Sequence, residues 1–476
     1  MTKPIPWTAL QILEATKGEL LCGGPERFFS GVSIDSHRIF PDDLFVAIQG
    51  EVHDGHSFVK DVVESGVCGL LINKNKADVF FSDVRVREDW RQKGLLCVAV
   101  KDTTKALGDL TAFQRRRSNV SVIAITGSNG KTTTKEMTNG IVSRCFGTLA
   151  TIGNFNNQIG LPLTLLKLNR SHQWSVLELG MNHPGEIRRL SEICMPDIGV
   201  ITNIGPAHLE KLGSLKGVMD AKAELLENIK PNGTVVLNAD DPNLSDLCRR
   251  TSKKILRFGF SEDADIRAIS VKKKRFGTSF ILSMPTETLP IDLKIPGAFM
   301  ISNALAAASA GYLLGLKAEH IKAGLEEFKS VQGRMNVFKT KNGIHIIDDT
   351  YNANPGSMES AIMTLKSMKG EHRGVLVAGD MHELGEHAEF MHKKIGSVAA
   401  GIGISGLYLT GRFAGSVAAG AQHNGMKRRD IFTGTKQEIV ENLKDTLGPD
   451  DWVLVKGSRA MAMEQVVQDL RDWADI

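Results

Sequence analysis

The stretch Ile123-Ala124-Ile125-Thr126-Gly127-Ser128-Asn129-Gly130-Lys131-Thr132-Thr133-Thr134 places a Gly-rich turn and Lys-Thr-Thr directly after a strand-like apolar run and before a helical one. A phosphate-binding loop needs this order, because its glycines let backbone N–H groups approach phosphate oxygens. Lys131 adds charge for the outer phosphates, and Thr132 or Thr133 offers a hydroxyl to Mg²⁺. The general pattern G-x-x-x-x-G-K-[ST] would need glycine at position 125, which is Ile125. A chance Gly-rich turn is the alternative, but the strand–loop–helix context favours ATP or GTP.

Length and composition indicate a multidomain α/β protein. The 476 residues exceed what one hydrophobic core supports, and 42% hydrophobic residues with 24% charged ones are typical of a soluble globular chain. The net charge of +4 arises from 58 basic and 54 acidic residues, and the basic cluster at 272–275 reads as a solvated hairpin. These features do not favour a nucleic-acid partner.

The six cysteines are widely spaced and contain no C-x-x-C pair: Cys22, Cys68, Cys97, Cys145, Cys194 and Cys248. We expect buried thiols in a reducing cytoplasm rather than a disulfide framework or a zinc site. Residues 1–7 lack the apolar core of a signal peptide, and no run reaches the roughly 18 apolar residues of a membrane span. The sequence predicts a cytoplasmic protein without membrane insertion.

Strand and helix signals divide the chain into three segments. Residues 1–100 form a small α/β module with strand signals at 42–50, 69–72 and 95–100, and the helix over 104–117 leads into the next segment. The second segment, 101–331, alternates strands (120–125, 175–179, 198–203 and 234–238) with helices, as in a parallel sheet. Within it, residues 252–296 read as an antiparallel insertion or edge. The third, 332–476, has strand signals at 344–347, 374–377, 407–409 and 452–455, which predicts a doubly wound α/β domain without a G-x-G-x-x-G fingerprint.

Ligands of parallel sheets lie at the carboxyl ends of the strands, so the polar residues there are candidates for chemistry. Glu178 follows one central strand, and His208 lies in the loop after the next, where a carboxylate and an imidazole would suit Mg²⁺. A surface acid and a helix-cap histidine are the alternatives. Lys222 lies in a helical stretch, and from the residues alone an exposed helix lysine is favoured. The loop at 347–358 contains an Asn-Pro turn, with Ser357 as the expected N-cap.

Together and in this order, these segments resemble the Mur ligases of peptidoglycan synthesis, which belong with folylpolyglutamate synthase to the ATP-dependent amide-bond ligases. Residues 126–133 are similar to the family's T-G-[ST]-N-G-K-[ST]-[ST], so the missing first glycine is the family's own variant. Further matches are Gly153-Asn154-Phe155-Asn156-Asn157, Glu178, Asn203-Ile204, His208, Lys222, Asn303-Ala304, Gly333-Arg334 and the loop at 349–354.

The resemblance is strongest to the family member that adds D-alanyl-D-alanine. Residues 349–358 are similar to its D-x-Y-N-A-N-P-x-S-M, and residues 378–385 resemble its G-D-M-x-E-L-G. Asp35-Ser36, residues 42–47 and Asp54-Gly55-His56 look like the uridine-nucleotide module that it shares with the preceding enzyme. This implies an α/β fold of three domains: a small N-terminal uridine-nucleotide module (1–100), a central parallel-sheet P-loop ATPase domain (101–331) and a C-terminal doubly wound, Rossmann-like domain (332–476).

The implied reaction joins D-Ala-D-Ala to UDP-MurNAc-tripeptide through an acyl phosphate at the expense of ATP, and we expect a monomer. Lys131, Glu178, His208 and Lys222 would be catalytic. Two Mg²⁺ ions would be held by Thr132, Glu178, His208 and a carbamylated Lys222. ATP would contact Gly127, Ser128, Asn129, Gly130, Lys131, Thr132, Thr133, Asn303, Arg334, Asp349 and Asn352. The other substrates would contact Asp35, Ser36, Asp54, Gly55, His56, Asn154, Asn157, Asn354 and Ser357.

Two other functions stay open at this point. One is a ligase of the same kind that adds glutamate to folate, and the other is a nucleotide-binding scaffold or switch without ligation. The uridine-module residues argue against the first, and the joint presence of Lys131, Glu178, His208 and Lys222 argues against the second.

Overall fold

The computed structural model describes residues 4–50, 52–274 and 276–475, which fold into three parallel-rich sheets flanked by helices. In chain order the strands and α-helices are β1 (Trp7–Thr8), α1 (Ala9–Thr16), β2 (Glu19–Cys22), β3 (Phe28–Phe29), β4 (Gly31–Ser33), β5 (Asp43–Val46), α2 (Val59–Glu64), β6 (Gly69–Asn73), α3 (Ala77–Phe81), α4 (Val84–Gln92), β7 (Leu96–Val100), α5 (Thr103–Arg117), β8 (Ser121–Thr126), α6 (Lys131–Val142), β9 (Thr148–Ala150), α7 (Gly160–Leu165), β10 (Trp174–Glu178), α8 (Glu186–Cys194), β11 (Ile198–Ile201), α9 (Leu209–Leu212), α10 (Leu215–Ala223), β12 (Thr234–Asn238), α11 (Pro242–Arg249), β13 (Lys254–Gly259), β14 (Ile266–Lys274), β15 (Gly277–Ser283), β16 (Thr288–Leu293), α12 (Ala298–Leu313), α13 (Ala318–Glu326), β17 (Asn336–Lys339), β18 (His345–Asp349), α14 (Pro355–Lys369), β19 (Gly374–Ala378), α15 (Ala388–Gly401), β20 (Gly406–Leu409), α16 (Ala414–His423), β21 (Ile431–Thr433), α17 (Lys436–Thr446), β22 (Trp452–Lys456) and α18 (Glu464–Ala474).

The N-terminal sheet has the strand order β2-β7-β6-β5-β4, in which only β2 runs antiparallel to its neighbour. Its core joins Trp7 and Leu96 to Leu107 and Leu110 of α5, although α5 was expected to enter the next domain. The same helix also packs on α7 and α8 of the central segment. Because α5 packs on both the N-terminal and the central segments, it does not mark a boundary at residues 100/101. This boundary and the one at 331/332 stay predictions.

The central sheet has nine strands in the order β16-β15-β14-β13-β12-β11-β8-β10-β9. Strand β8 lies between β10 and β11, and Ile125 is paired with both Glu178 and Val200. Ile123 and Ile125 are fully buried, as expected for a strand that is covered on both faces. Since these parallel strands end at one level, the residues that follow them meet at a single edge of the sheet.

The segment at 252–296 corrects one expectation. Strands β14, β15 and β16 are antiparallel to one another, as predicted, but β13 pairs in parallel with β12 and therefore extends the main sheet. The direction of β13 depends on its pairing with β12, which the crossover through α11 sets. The sequence of a short strand between polar turns does not reveal this pairing. Arg275 of the predicted basic hairpin lies outside the described residues.

The third sheet has the order β17-β18-β22-β19-β20-β21, and only the edge strand β17 is antiparallel. The three α/β units expected from the sequence are thus confirmed. One expectation about the thiols is wrong, because Cys145 is exposed and Cys248 is only partly buried, while all six cysteines are free. No helix of the described ranges combines the length and hydropathy of a membrane-spanning segment.

Candidate active site

A cavity of about 490 Å³ opens between the carboxyl edge of the central sheet and the third sheet. Most of the predicted cleft residues line this one cavity: Ser128, Asn129, Gly130, Lys131, Thr132, Thr133, Asn154, Glu178, His208, Asn303, Arg334, Asp349, Asn352, Asn354 and Ser357. The residues come from two domains and from strand ends far apart in sequence. The cavity is therefore the candidate active site.

Two glycines of the phosphate loop hold conformations that a side chain would disrupt. Gly130 has a φ of 79°, and a Cβ there would lie 2.2 Å from Asn303 Oδ1. Gly127 has a φ of 149°, and its Cβ would lie 1.9 Å from Thr202 Oγ1. Both contacts are far shorter than van der Waals distance, so the loop packs against its neighbours as bare backbone. Gly127 itself does not line the cavity.

Hydrogen bonds with the segment that follows β11 hold the phosphate loop in place. Ser128 N donates to Asn203 O at 2.9 Å, and Asn129 N donates to Asn203 Oδ1 at 2.9 Å. Thr202 Oγ1 donates to Asn129 O at 2.6 Å. These bonds rigidify the loop before any ligand binds, which reduces the entropy that binding must overcome.

Helix α6 begins at Lys131 with Gly130 in the N-cap position, and no side chain of the described residues caps it. Its first N–H groups and the positive end of the helix dipole therefore face the cavity, as anion binding requires. Lys131 Nζ donates to Gly127 O at 2.8 Å. Burial lowers the pKa of Lys131, whereas the nearby charge of Glu178 favours its protonated form.

Glu178 ends β10 and is almost completely buried. Asn156 Nδ2 donates to Oε1 of Glu178 at 2.7 Å, and the Glu178 N–H donates to Thr151 Oγ1 at 3.0 Å. Oε2 has no hydrogen-bond partner among the described residues. A buried carboxylate oxygen is costly to leave unpaired, so this oxygen suits a cation. The alternative of a surface acid is wrong.

His208 occupies the N-cap position of α9 in a left-handed conformation, with a φ of 56°, and its side chain does not cap the helix. Its Nδ1 instead lies 2.6 Å from Glu383 Oε2, a carboxylate of the third domain. The close contact with His208 lowers the pKa of Glu383. The imidazole of the central domain thus faces the cavity and contacts a carboxylate of the third domain.

Lys222 lies in α10 and is only 1% exposed, so the alternative of an exposed helix lysine is wrong. It does not line the cavity itself. Its amine makes no hydrogen bond or ion pair with the described residues. Burial lowers the pKa of Lys222 well below its ordinary value, and the charge of Lys131 lowers it further. Burial therefore favours the neutral, nucleophilic amine over the ammonium ion.

Groups of the third domain complete the opposite wall of the cavity. The Arg334 guanidinium lies 4.0 Å from the centre of the Tyr351 ring, and its Nε has no hydrogen-bond partner in the described part of the chain. Lys456 Nζ donates to Asp349 Oδ2 at 2.6 Å and to Asn352 O at 2.8 Å. The Asp349–Asn352 loop is therefore held by a buried lysine.

The start of α14 corrects the expected cap. Asn354, not Ser357, is the N-cap, and the two residues form a reciprocal capping box. Ser357 N donates to Asn354 Oδ1 at 2.9 Å, and Asn354 N donates to Ser357 Oγ at 3.0 Å. Because Pro355 occupies the first helical position, the N-cap is the residue before it. Asn354 Nδ2 additionally donates to Asn129 Oδ1 of the phosphate loop at 2.7 Å.

The remaining predicted substrate residues do not line the cavity. Asn157 Oδ1 accepts hydrogen bonds from the backbone N–H groups of Ile159 and Gly160, at 3.2 and 2.8 Å, just before α7. Asp35 accepts from the His37 N–H at 2.9 Å in the loop after β4, next to the partly buried Ser36.

Asp54, Gly55 and His56 form a tight structure of their own after β5. Asp54 Oδ1 lies 2.6 Å from His56 Nδ1, and Lys76 pairs with its other oxygen. His56 Nε2 accepts from the Asn73 N–H at 2.9 Å, so both ring nitrogens are occupied. A Cβ at Gly55 would lie 2.9 Å from Ile48 N. The ring of His37 lies 6.4 Å from that of Phe58, which places the two predicted uridine segments side by side.

Cavity residues that were not predicted as site residues from the sequence include Asn156, Tyr351, Glu383, Lys456 and Arg459. Lys456 directly follows the predicted strand at 452–455, so the strand-end rule applied to Glu178 would have found it. Asn156 and Glu383 lie inside matched motifs, but nothing local marks them as facing the cavity.

The fold and the cavity define a nucleotide-binding α/β protein in which an open phosphate loop faces a second Rossmann-like sheet. Three family models match the chain: Mur ligase family, catalytic domain over residues 29–115; Mur ligase middle domain over 125–311; and Mur ligase, glutamate ligase domain over 333–459. The chain belongs to the Mur ligase family.

Its relatives include two UDP-N-acetylmuramoyl-tripeptide–D-alanyl-D-alanine ligases. That of Escherichia coli is 37% identical, with 98% of both chains covered, and that of Bacillus subtilis is 34% identical, with 97% of this chain and 98% of the relative covered. The crystal structure of MurF from Acinetobacter baumannii matches with a TM-score of 0.89 and 33% identity, covering 99% of this chain and all of the other. MurF from Thermotoga maritima in complex with ADP matches with a TM-score of 0.82 and 26% identity, covering 94% and 98%.

Proposed function

We propose that this chain is the ATP-dependent ligase that joins D-Ala-D-Ala to UDP-MurNAc-tripeptide, forming the UDP-MurNAc-pentapeptide precursor of peptidoglycan. The observation that carries the proposal is the single cavity in which the open phosphate loop, Glu178 and His208 face Arg334 and Asp349 of the third domain. The activity named for the E. coli and B. subtilis relatives, and the ADP bound by the Thermotoga neighbour, support it.

The nucleotide would place its phosphates on the open start of α6. Backbone N–H groups of the loop and Lys131 would bind the β- and γ-phosphates, while Arg334, with its unpaired Nε, would reach them from the third domain. Asp349 and Asn352, held by Lys456, would contact the nucleoside. Asn303 supports Gly130 from behind, so its part is to keep the loop in shape.

Mg²⁺ fits the residues on the central side of the cavity. Thr132 and the unpaired Oε2 of Glu178 would hold one ion, and His208 together with a carbamylated Lys222 would hold the second. The neutral Lys222 nitrogen would attack the carbon of CO₂ and lose a proton to solvent, which converts an amine into a carboxylate-like anion. When bound, Mg²⁺ neutralises phosphate charge and so allows a carboxylate to approach.

The chain's own groups would serve two chemical steps. The terminal carboxylate of the tripeptide attacks the γ-phosphorus of ATP, giving an acyl phosphate and ADP. The amine of D-Ala-D-Ala then attacks the acyl carbon, and the tetrahedral intermediate expels phosphate and loses a proton. Lys131 and Arg334 stabilise the charge on the transferred phosphoryl group, and the two-domain cavity keeps water from the acyl phosphate.

The other substrates would extend from this cavity in two directions. The segments after β4 and β5, with Asp35, Ser36 and Gly55, would hold the UDP-sugar, while Asp54 and His56 shape that site through their internal hydrogen bonds. Asn154 would face the tripeptide at the cavity wall, with Asn157 fixing the loop beside it. D-Ala-D-Ala would lie beside Asn354, above the capped start of α14.

The remaining parts of the proposal concern the cell. We propose a cytoplasmic monomer whose product supplies cell-wall synthesis, and through it cell shape and division. No residue of the described ranges is assigned to a nucleic acid or a membrane.

Phosphate release from ATP, with UDP-MurNAc-tripeptide present, tests the proposed function. Release should require D-Ala-D-Ala and Mg²⁺, and it should be lost in Lys131→Met but kept in Lys366→Met, a change at an exposed lysine of α14. Release without the dipeptide would instead indicate a hydrolase or switch. Release only with glutamate would indicate a different ligase.

A further inference from the structure

Two polar side-chain contacts among the described residues cross the cavity between the central and third domains. Asn354 contacts Asn129 of the phosphate loop, as described above. The second contact, here called the His208–Glu383 bridge, joins His208 Nδ1 to Glu383 Oε2 at 2.6 Å. The Glu210 N–H also donates to Glu383 O at 3.0 Å, so backbone and side chain fix the same two segments together.

The backbone on both sides of the bridge is shaped for this approach. His208 has a φ of 56° and Glu383 a φ of 63°, and both are non-glycine residues in the left-handed region. Such conformations are uncommon and cluster where function requires a particular side-chain direction. Gly385 also has a positive φ, and a Cβ there would lie 3.2 Å from Glu210 Cα, so the two loops meet closely.

The bridge contributes little energy as an ion pair, because the Glu383 side chain is 49% exposed. Its consequence is orientation. Nδ1 is the ring nitrogen that faces Glu383, at 2.6 Å but without the alignment of a hydrogen bond, and Nε2 makes no hydrogen bond with the described residues. Imidazoles that hold a metal through one nitrogen commonly donate from the other to a carboxylate, which fixes the ring and its tautomer.

We propose that Glu383 is a positioning residue for the ligase reaction, which orients His208 only when the third domain is closed on the central one. This inference rests on the proposed function. Because Glu383 belongs to the third domain and His208 to the central one, domain closure itself completes the orientation of the imidazole. An open enzyme would leave the ring free to rotate, so the phosphoryl-transfer site would be assembled only in the closed state.

Three variants separate orientation from charge. Glu383→Gln keeps a carbonyl oxygen that can accept from Nδ1, whereas Glu383→Ala removes the acceptor. Glu386→Ala is the matched control, because Glu386 is exposed, lies three residues further on and does not line the cavity. Melting temperatures of all three establish that each variant is folded.

The first readout is the Mg²⁺ concentration needed for half-maximal phosphate release. Glu383→Ala should raise it by about 10–100-fold and lower kcat, with a smaller change in KM for ATP. Glu383→Gln should remain close to wild type, as should Glu386→Ala. Equal losses in the Gln and Ala variants, or wild-type behaviour of Glu383→Ala, would overturn the inference.

The second readout needs no substrate and no metal. In ¹⁵N-labelled protein, the ring signals of His208, assigned by comparison with His208→Asn, should show the Nδ1–H tautomer in the wild type and in Glu383→Gln. Glu383→Ala should show a mixture of tautomers, and an unchanged spectrum would contradict the inference. Wild-type protein that shows this tautomer but no dipeptide-dependent phosphate release would overturn the proposed function alone.

Discussion

Two helices begin at the same cavity, and their first turns differ. Helix α6 follows β8 with Gly130 as an N-cap that carries no side chain, whereas α14 follows the β18 loop with Asn354 and Ser357 in a capping box. Both occupy the same place in an α/β unit, at the carboxyl end of a parallel strand. One leaves its N–H groups for an anion, and the other pairs them with its own side chains.

The open start of α6 is suited to binding a ligand, whereas the capped start of α14 has a structural role. The spare donor of the capped helix, Asn354 Nδ2, contacts Asn129 at 2.7 Å and thereby ties the third domain to the open loop. The N–H groups at the open start of α6 remain unpaired among the described residues, whereas the capping groups of α14 are already paired within the chain.

The largest effect is expected at the buried amine near the open helix start. Lys222→Ala should abolish measurable turnover, because no carbamate can form, and a short carboxylic acid should restore part of the activity better than chloride does. Lys216→Ala on the same helix is the control, since its ion pair with Asp220 is exposed. Near-normal phosphate release from Lys222→Ala would disprove the carbamate role.

A Cβ should distinguish the two helix starts directly. Gly130→Ala must move Asn303 and strain a φ of 79°, so the Kd for ATP should rise at least about tenfold, measured by calorimetry. A Cβ in Gly356→Ala, in the first turn of α14, would lie 3.3 Å from Asn129 Nδ2 and 3.8 Å from Asn354 Oδ1, and φ there is not strained, so the Kd for ATP should stay close to wild type. Equal weakening by both substitutions would contradict the comparison.

Removing half of the capping box should affect stability more than binding. Ser357→Ala removes the hydroxyl that accepts from the Asn354 N–H, so it should lower the free energy of unfolding by about 1 kcal/mol, while KM for D-Ala-D-Ala changes little. Urea denaturation and steady-state kinetics measure the two quantities. A large rise in KM with unchanged stability would instead make Ser357 a substrate contact, as the sequence resemblance implied.

The smallest effect is expected at a third helix start, where Asp54 caps the short 3-10 helix at Gly55–Phe58. Partial burial opposes ionisation, but the hydrogen bonds from Lys76 and His56 prevail and lower the pKa of Asp54 to about 2. A depressed carboxyl pKa stabilises the fold above the ordinary value of 3.8, and this contribution is lost as the pH falls through 2. The stability difference between wild type and Asp54→Asn should therefore shrink on acidification below pH 4, as urea titrations would show. A difference that grows on acidification would refute this.

Local sequence predicted most of the elements, including the β12 strand at 234–238 and the α5 helix, because apolar periodicity and turn residues act over a few positions. Local sequence did not predict features that depend on residues distant in the chain. The direction of β13 is set by its pairing with β12, and the burial of Lys222 is set by the packing of α10. Neither feature can be predicted from the residues of the strand or helix itself.

By itself the sequence determined the phosphate loop, its strand–loop–helix context and the family motifs, since backbone conformation at Gly127 and Gly130 is a local property. Only the tertiary structure decided which strand-end groups share the cavity. Glu383 reaches His208, and Asn354 reaches Asn129, because two sheets pack with their carboxyl edges facing each other. Such contacts depend on the docking of whole domains, and no spacing along the chain encodes them.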